Sequence, residues 1–278
     1  MFGPNSGIRV IGHRGAAGVA PENTIKAIEH GIAGGAQALE VDLHVATCGT
    51  LVTIHDDTLD RTTNGSGPVE RLDIQQLQAL DAGFQFTSDH GSSYPYRGTD
   101  IRIPTLDAVA EAGGDLPMIL EVKTSGAGRA LASWLQGRSD GDRFLVGGFD
   151  RAAVAPAASV ARWQCATEQD LKRFVLLGKL GISTRVRQEI TAFMVPVRQG
   201  ALRIVTRRFI RHAHDAGIGV YVWTVNRPTE MRALLDLGVD GLISDIPARV
   251  RRITNERDAA GLGLKPTAQA VATARKSD

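Results

Sequence analysis

The feature that most restricts how this chain can fold is a repeated alternation of short apolar runs with longer stretches of helical periodicity. Strand-like runs recur at residues 8–12, 39–43, 118–122, 144–147, 161–164, 192–197, 218–225 and 241–245. Between them, apolar residues return every three to four positions, the spacing that lines one face of a helix. Asn23 is read as a helix cap, with Ile25, Ile28 and Ile32 following and Gly34 and Gly35 ending that helix. Pro228 and Gly238 bound a later helix that carries Met231, Leu234 and Leu235. About eight strand–helix units in 278 residues is the count of an α/β (β/α)8 TIM barrel. A doubly wound open sheet is the structural rival.

Residues 57–103 break this rhythm. They are rich in Gly, Ser, Thr and Asp, with a tight-turn signal at Asn64-Gly65 and a capping-box pattern at Asp73 and Gln76. The segment is long for a connection and small for a domain with its own core, so an insertion or lid at one end of the main fold is expected. The barrel is expected over residues 1–255, and 256–278, which has no periodicity, as a disordered tail.

An apolar content of 43% supports a substantial core, yet no uncharged apolar run is long enough to span a bilayer. A net charge of +2 supplies no basic footprint, so no nucleic-acid partner is expected. Cys48 and Cys165 are too sparse for a disulfide framework. The first residues lack a basic region followed by a long apolar one, so no signal peptide is expected and the cytoplasm is the expected compartment.

The chemistry concentrates between His13 and Asp56. Strand residues two apart share a face, so Glu40 and Asp42 point one way, as do Glu121 and Lys123. In a barrel, strand ends converge on one mouth. Three carboxylates there would hold a hard divalent cation, Mg²⁺ or Ca²⁺, since crowded carboxylates repel without one. The plainer reading is a set of strand-end ion pairs. His13 and His55, each after an apolar run, suit a general acid and general base. Arg14 and Lys123 suit phosphoryl oxygens, the first as a planar fork and the second as a point charge.

The ordered pieces "GHRG", "PENT", "ALEVDL", "IHDDTLDRTTNGSG", "RIPTL", "LEVK", "VWTVN" and "GLISDIP" resemble the glycerophosphodiester phosphodiesterase family from His13 to Pro247. The resemblance implies a TIM barrel with an inserted segment after the second strand. It further implies His13 and His55 as the acid/base pair, Arg14 and Lys123 on the phosphoryl group, Glu40, Asp42 and Glu121 as metal ligands, and Trp223 as an aromatic wall against substrate. The implied reaction is hydrolysis of a glycerophosphodiester to glycerol 3-phosphate and an alcohol. The close alternative is a lysophospholipase D acting on lysophospholipids; rivals of other classes are a barrel aldolase with Lys123 as Schiff base and an inactive binding barrel. A small-molecule substrate and at most peripheral membrane contact are therefore expected.

Residues 165–200 carry no such motif. Lys172, Arg173, Lys179, Arg185 and Arg187 alternate there with apolar residues, the pattern of a helix covering the barrel. His212 and His214 are read as surface residues of an outer helix.

Overall fold

The computed structural model describes residues 2–4, 6–179 and 187–262. Among these, eight parallel strands form a closed ring: β1 (Val10–Gly12), β2 (Ala38–Val45), β3 (Met118–Val122), β4 (Phe144–Gly147), β5 (Trp163–Cys165), β6 (Ile190–Pro196), β7 (Gly219–Trp223) and β8 (Gly241–Ser244). Closure is explicit in the register, because Ile11 of β1 lies beside Ala38 of β2 while Val10 lies beside Leu242 of β8. An open doubly wound sheet would leave two strand edges, so the TIM barrel is the fold. Eight helices follow the strands in turn: α1 (Ile25–Ala33), α2 (Leu106–Ala112), α3 (Ser125–Leu135), α4 (Arg151–Ala158), α5 (Glu168–Lys179), α6 (Arg207–Asp215), α7 (Pro228–Leu237) and α8 (Pro247–Ala259). No helix among the described residues is long and apolar enough to cross a membrane.

Alternation along each strand separates two cores. One set of side chains, with Ile11, Ala38, Ile119, Leu145, Ala192, Tyr221 and Ile243, fills the barrel interior. The intervening positions, such as Leu39, Val41, Leu120, Val220 and Leu242, pack outward under the helices. Continuing the inward series by two residues at the C-terminal strand ends reaches His13, Glu40, Glu121 and Asp245. The same alternation that packs the core therefore aims polar groups at the barrel mouth.

The α3–α4 contact depends on Gly128. A Cβ built there would sit 1.9 Å from the carbonyl oxygen of Ala153, so the helices touch backbone to side-chain-free backbone. Gly128→Ala is expected to cost about 1–3 kcal/mol through overpacking, seen as a lowered urea midpoint.

Several local expectations need correction. The α1 cap is Thr24, whose hydroxyl accepts from the Ala27 N–H; Asn23 is recruited elsewhere, as described below. Helix α4 has weak apolar patterning and contains Pro156, and no sequence signal marked it. A short hairpin pairs Arg198–Gln199 with Leu202–Arg203. Helix α8 continues through Ala259, so the ordered chain extends past the expected boundary at 255. The remainder of the expected tail, from residue 263, lies outside the described residues, as do Arg185 and the side chain of Lys179. His214 is not simply a surface group: it lies 2.7 Å from Asp240, which also accepts from the Val220 N–H and so ties α6 to β7.

Between β2 and α2 lies the irregular segment. It holds a single 3-10 turn (Val69–Arg71) and a short helix (Ile74–Gln78) whose Asp73/Gln76 capping box forms as read from sequence. Its apolar residues Leu59, Val69, Leu77, Ala82 and Ile103 cluster with Ala46, Val52 and Ile54. Burial is thus shared with chain leaving the barrel rather than internal to the segment. The strand Leu51–Thr53 runs antiparallel to the end of β2, with Leu43 beside Thr53, and this return folds His55 back over the barrel mouth.

Candidate active site

The turn after β1 builds one wall. Gly12 allows it, because a Cβ there would meet the Gly15 carbonyl oxygen at 2.1 Å. Within the turn the Arg14 N–H donates to Glu40 Oε2 at 2.8 Å. His13 Nδ1 lies 2.6 Å from Asp245 Oδ1, and its Nε2 lies 3.9 Å from Glu40 Oε2. Burial alone would lower the His13 pKa, but the Asp245 hydrogen bond and the Glu40 charge outweigh it and hold the imidazole above its usual value. Asp245 is fixed in turn by Asn226, whose amide donates to Oδ2 at 2.5 Å and whose carbonyl accepts from the Asp245 N–H at 3.0 Å.

Beneath this wall sit the three carboxylates. Oxygens of Glu40, Asp42 and Glu121 lie within 4.8 Å of one another. Asp42 and Glu121 are register partners on adjacent strands, which explains the approach. The Asp42 carboxylate accepts from Lys123 Nζ at 2.8 Å and from the Asn23 amide at 2.8 Å, while Asn23 Oδ1 accepts from the Asp42 N–H at 3.0 Å. Asn23 therefore pins Asp42 rather than capping a helix. Arg14 Nε lies 3.2 Å from Asp42 Oδ2 but makes no hydrogen bond, leaving a buried guanidinium N–H without an acceptor.

The electrostatics separate these acids. Burial would raise the Asp42 pKa, yet Lys123 and Arg14 beside it hold it below the ordinary carboxylate range. Glu40 is pushed up to about 8, first by burial and then by the Asp42 charge. Lys123 also pairs with Glu121. Burial would lower its pKa, but Asp42 and Glu121 raise it, so the amine is held as ammonium. That removes the free amine a Schiff-base aldolase would need. An all-oxygen donor set whose crowded charges push one member's pKa up fits a hard divalent cation, which would offset that crowding.

The opposite wall carries His55. Its Nδ1 lies 2.6 Å from Asp56 Oδ1. Both histidines thus commit Nδ1 to an aspartate. His44, two residues beyond Asp42, is fully buried with Nε2 3.4 Å from the His55 carbonyl oxygen.

All eight residues singled out in the sequence, His13, Arg14, Glu40, Asp42, His55, Glu121, Lys123 and Trp223, line one cavity of about 570 Å³. Sequence reasoning missed Asp245, Asn226, Glu22 and Arg61. Asp245 was legible by counting two residues past inward-facing Ile243; the others gain their meaning only from distant partners. A second chamber of about 770 Å³ adjoins the first, sharing Ile119, Glu121, Phe149, Met194 and Trp223. Its further lining is largely apolar, with Cys165, Ala166, Leu171, Phe193 and Val195.

Comparison with known proteins bears directly on this arrangement. A glycerophosphodiester phosphodiesterase of Caldanaerobacter subterraneus is 28% identical over 86% of this chain and 94% of its own. Two solved structures share the fold. The glycerophosphoryl diester phosphodiesterase domain of a Mycobacterium tuberculosis protein matches with a TM-score of 0.76 at 20% identity, covering 89% of this chain and 99% of that one. A phosphodiesterase of Oleispira antarctica, solved with sn-glycerol-3-phosphate, matches with a TM-score of 0.70 at 23% identity, covering 89% and 96%. The sequence model of the glycerophosphoryl diester phosphodiesterase family matches residues 13–249, and the chain belongs to that family of hydrolases.

Proposed function

We propose that the protein hydrolyses a glycerophosphodiester to glycerol 3-phosphate and an alcohol, using one divalent cation, Mg²⁺ or Ca²⁺. The observation that carries this reading is the convergence on one cavity of two histidines, two cationic side chains and three carboxylates. Glu40, Asp42 and Glu121 would hold the cation, which when bound supplies positive charge beside the phosphoryl oxygens. Arg14 and Lys123 bind those oxygens and stabilise the charge that grows on them in the transition state. One histidine Nε2 accepts the proton of the attacking hydroxyl as the new P–O bond forms; water gives glycerol 3-phosphate directly, whereas attack by the substrate's own glycerol hydroxyl gives a cyclic phosphate that water then opens to glycerol 3-phosphate. The other gives its proton to the departing alcohol oxygen as the old P–O bond breaks. Asp245 and Asp56 hold both rings in position for this exchange. Trp223 packs on the carbon skeleton of the substrate. Two free cysteines, Cys48 and Cys165, suit a reducing compartment such as the cytoplasm.

A second reading, lysophospholipase D, is favoured by the apolar chamber beside the catalytic cavity, which has room for part of an acyl chain. One assay tests both. Glycerophosphocholine and lysophosphatidylcholine are incubated with the protein in Mg²⁺, in Ca²⁺ and in chelator, and choline release is measured. Release that needs a divalent cation is expected, with the faster substrate deciding between the two readings. No cation-dependent release from either would sink both.

A further inference from the structure

Arg61, in the insertion, bridges two carboxylates that each hold a residue of the cavity. We propose that Arg61 is a positioning residue that locks the proton-transfer wall and the phosphate-binding wall into one register; this rests on the roles proposed above for His55 and Arg14. Arg61 does not line the catalytic cavity, and its side chain is about half exposed. All three of its guanidinium nitrogens are nevertheless engaged. Nε and Nη2 donate to the two oxygens of Asp56 at 2.6 and 3.1 Å. Nη1 and Nη2 donate to the two oxygens of Glu22 at 2.9 and 2.7 Å. Asp56 is the carboxylate that holds His55 Nδ1, and Glu22 Oε1 accepts from Arg14 Nη1 at 2.7 Å. The result is an unbroken chain, His55–Asp56–Arg61–Glu22–Arg14, joining the insertion to the turn after β1.

A half-exposed ion pair is ordinarily worth little as a source of stability. The planar fork gives this one a different consequence. A guanidinium that satisfies two carboxylates at once fixes both of their planes, which a single ammonium cannot do. Without Arg61, Asp56 is free to pivot, and His55 loses a fixed acceptor at Nδ1. Glu22, with both oxygens released, is free to chelate Arg14 and draw its guanidinium away from the phosphoryl group. One substitution should therefore damage two kinetic quantities through two different residues.

The test compares steady-state kinetics and thermal melts of Arg61→Ala and Arg61→Lys with those of Glu22→Gln and Asp56→Asn. Arg61→Ala is expected to lower kcat by about 10²-fold, the scale of a misplaced catalytic group, and to raise KM as well. Asp56→Asn should act mainly on kcat and Glu22→Gln mainly on KM. Arg61→Lys, which keeps the charge and loses the fork, should recover little of either. Added guanidinium should raise the turnover of Arg61→Ala and leave the unsubstituted enzyme unchanged. A lowered melting temperature with unaltered kcat and KM in both Arg61 variants would reduce Arg61 to a structural ion pair and overturn the inference. His55→Ala and Arg14→Ala serve as controls. If they too keep full activity, the roles assigned to His55 and Arg14 fail; if they lose activity while the Arg61 variants do not, this inference alone fails.

Discussion

His13→Ala is expected to lower turnover by about 10²–10⁴-fold, the usual contribution of a positioned acid or base, while the protein stays folded. Asp245 has a second anchor in Asn226, so deleting the imidazole does not leave that carboxylate alone. Glu40 keeps its hydrogen bond from the Arg14 backbone. The site therefore holds its shape and loses one proton-transfer group. His55→Ala should behave alike, since Asp56 keeps Arg61. Choline release at saturating substrate, read beside a melting curve, separates this loss from unfolding. Near-normal turnover in either folded variant would show that the acid/base roles lie elsewhere.

Asp42→Ala should cost both activity and stability. Asp42 is buried, and it is the shared acceptor of Lys123 and Asn23 and the nearest carboxylate to Arg14 Nε. Its removal leaves two partly buried cations without their common counter-charge, against a loss of about 3–5 kcal/mol when one partner of a fully buried pair is deleted. Glu40, relieved of the Asp42 charge that raises its pKa, recovers part of this by ionising more readily. The lower end of the range is therefore expected in urea unfolding at neutral pH. The pH dependence has a definite sign. Because the folded-state pKa of Asp42 is depressed, its stabilisation is present above the ordinary aspartate range and is lost as the pH falls through the folded value. The gap between the original protein and Asp42→Ala should thus narrow toward acid. An unchanged gap, or none at neutral pH, would mean that Lys123 and Arg14 find other counter-charges.

The barrel was legible because its signal is redundant. Eight short strand-like runs separated by helical periodicity survive the misplacement of any one, and β5 is shorter and later than the strand expected at 161–164. Polar residues with one local role were also legible: Asp73 and Gln76 meet across three residues. Asn23 was not, since an asparagine before a helix can cap it or can reach sideways. Here it reaches across to β2, and Thr24 caps instead. Helix α4 escaped because "RAAVAPAAS" offers small residues and an internal proline in place of an apolar stripe. Glu22 and Arg61 lie 39 residues apart and have no sequence pattern linking them. Their pairing is a property of the folded chain, as is the placing of Asp245 beside a histidine 232 positions earlier.

That last pairing spans the seam where β1 meets β8, the first and last strands of the ring. During synthesis, everything through Trp223 emerges before Asp245 does. A chain still short of β8 already carries all three proposed cation ligands and both histidines, yet His13 has no carboxylate to orient it and the first strand has a free edge. A domain folds as a unit, so here the final strand completes the wall of the barrel and the alignment of the proposed proton carrier in one event. A fragment ending before residue 245 would lack the carboxylate that orients His13, and with it the fixed position of that ring.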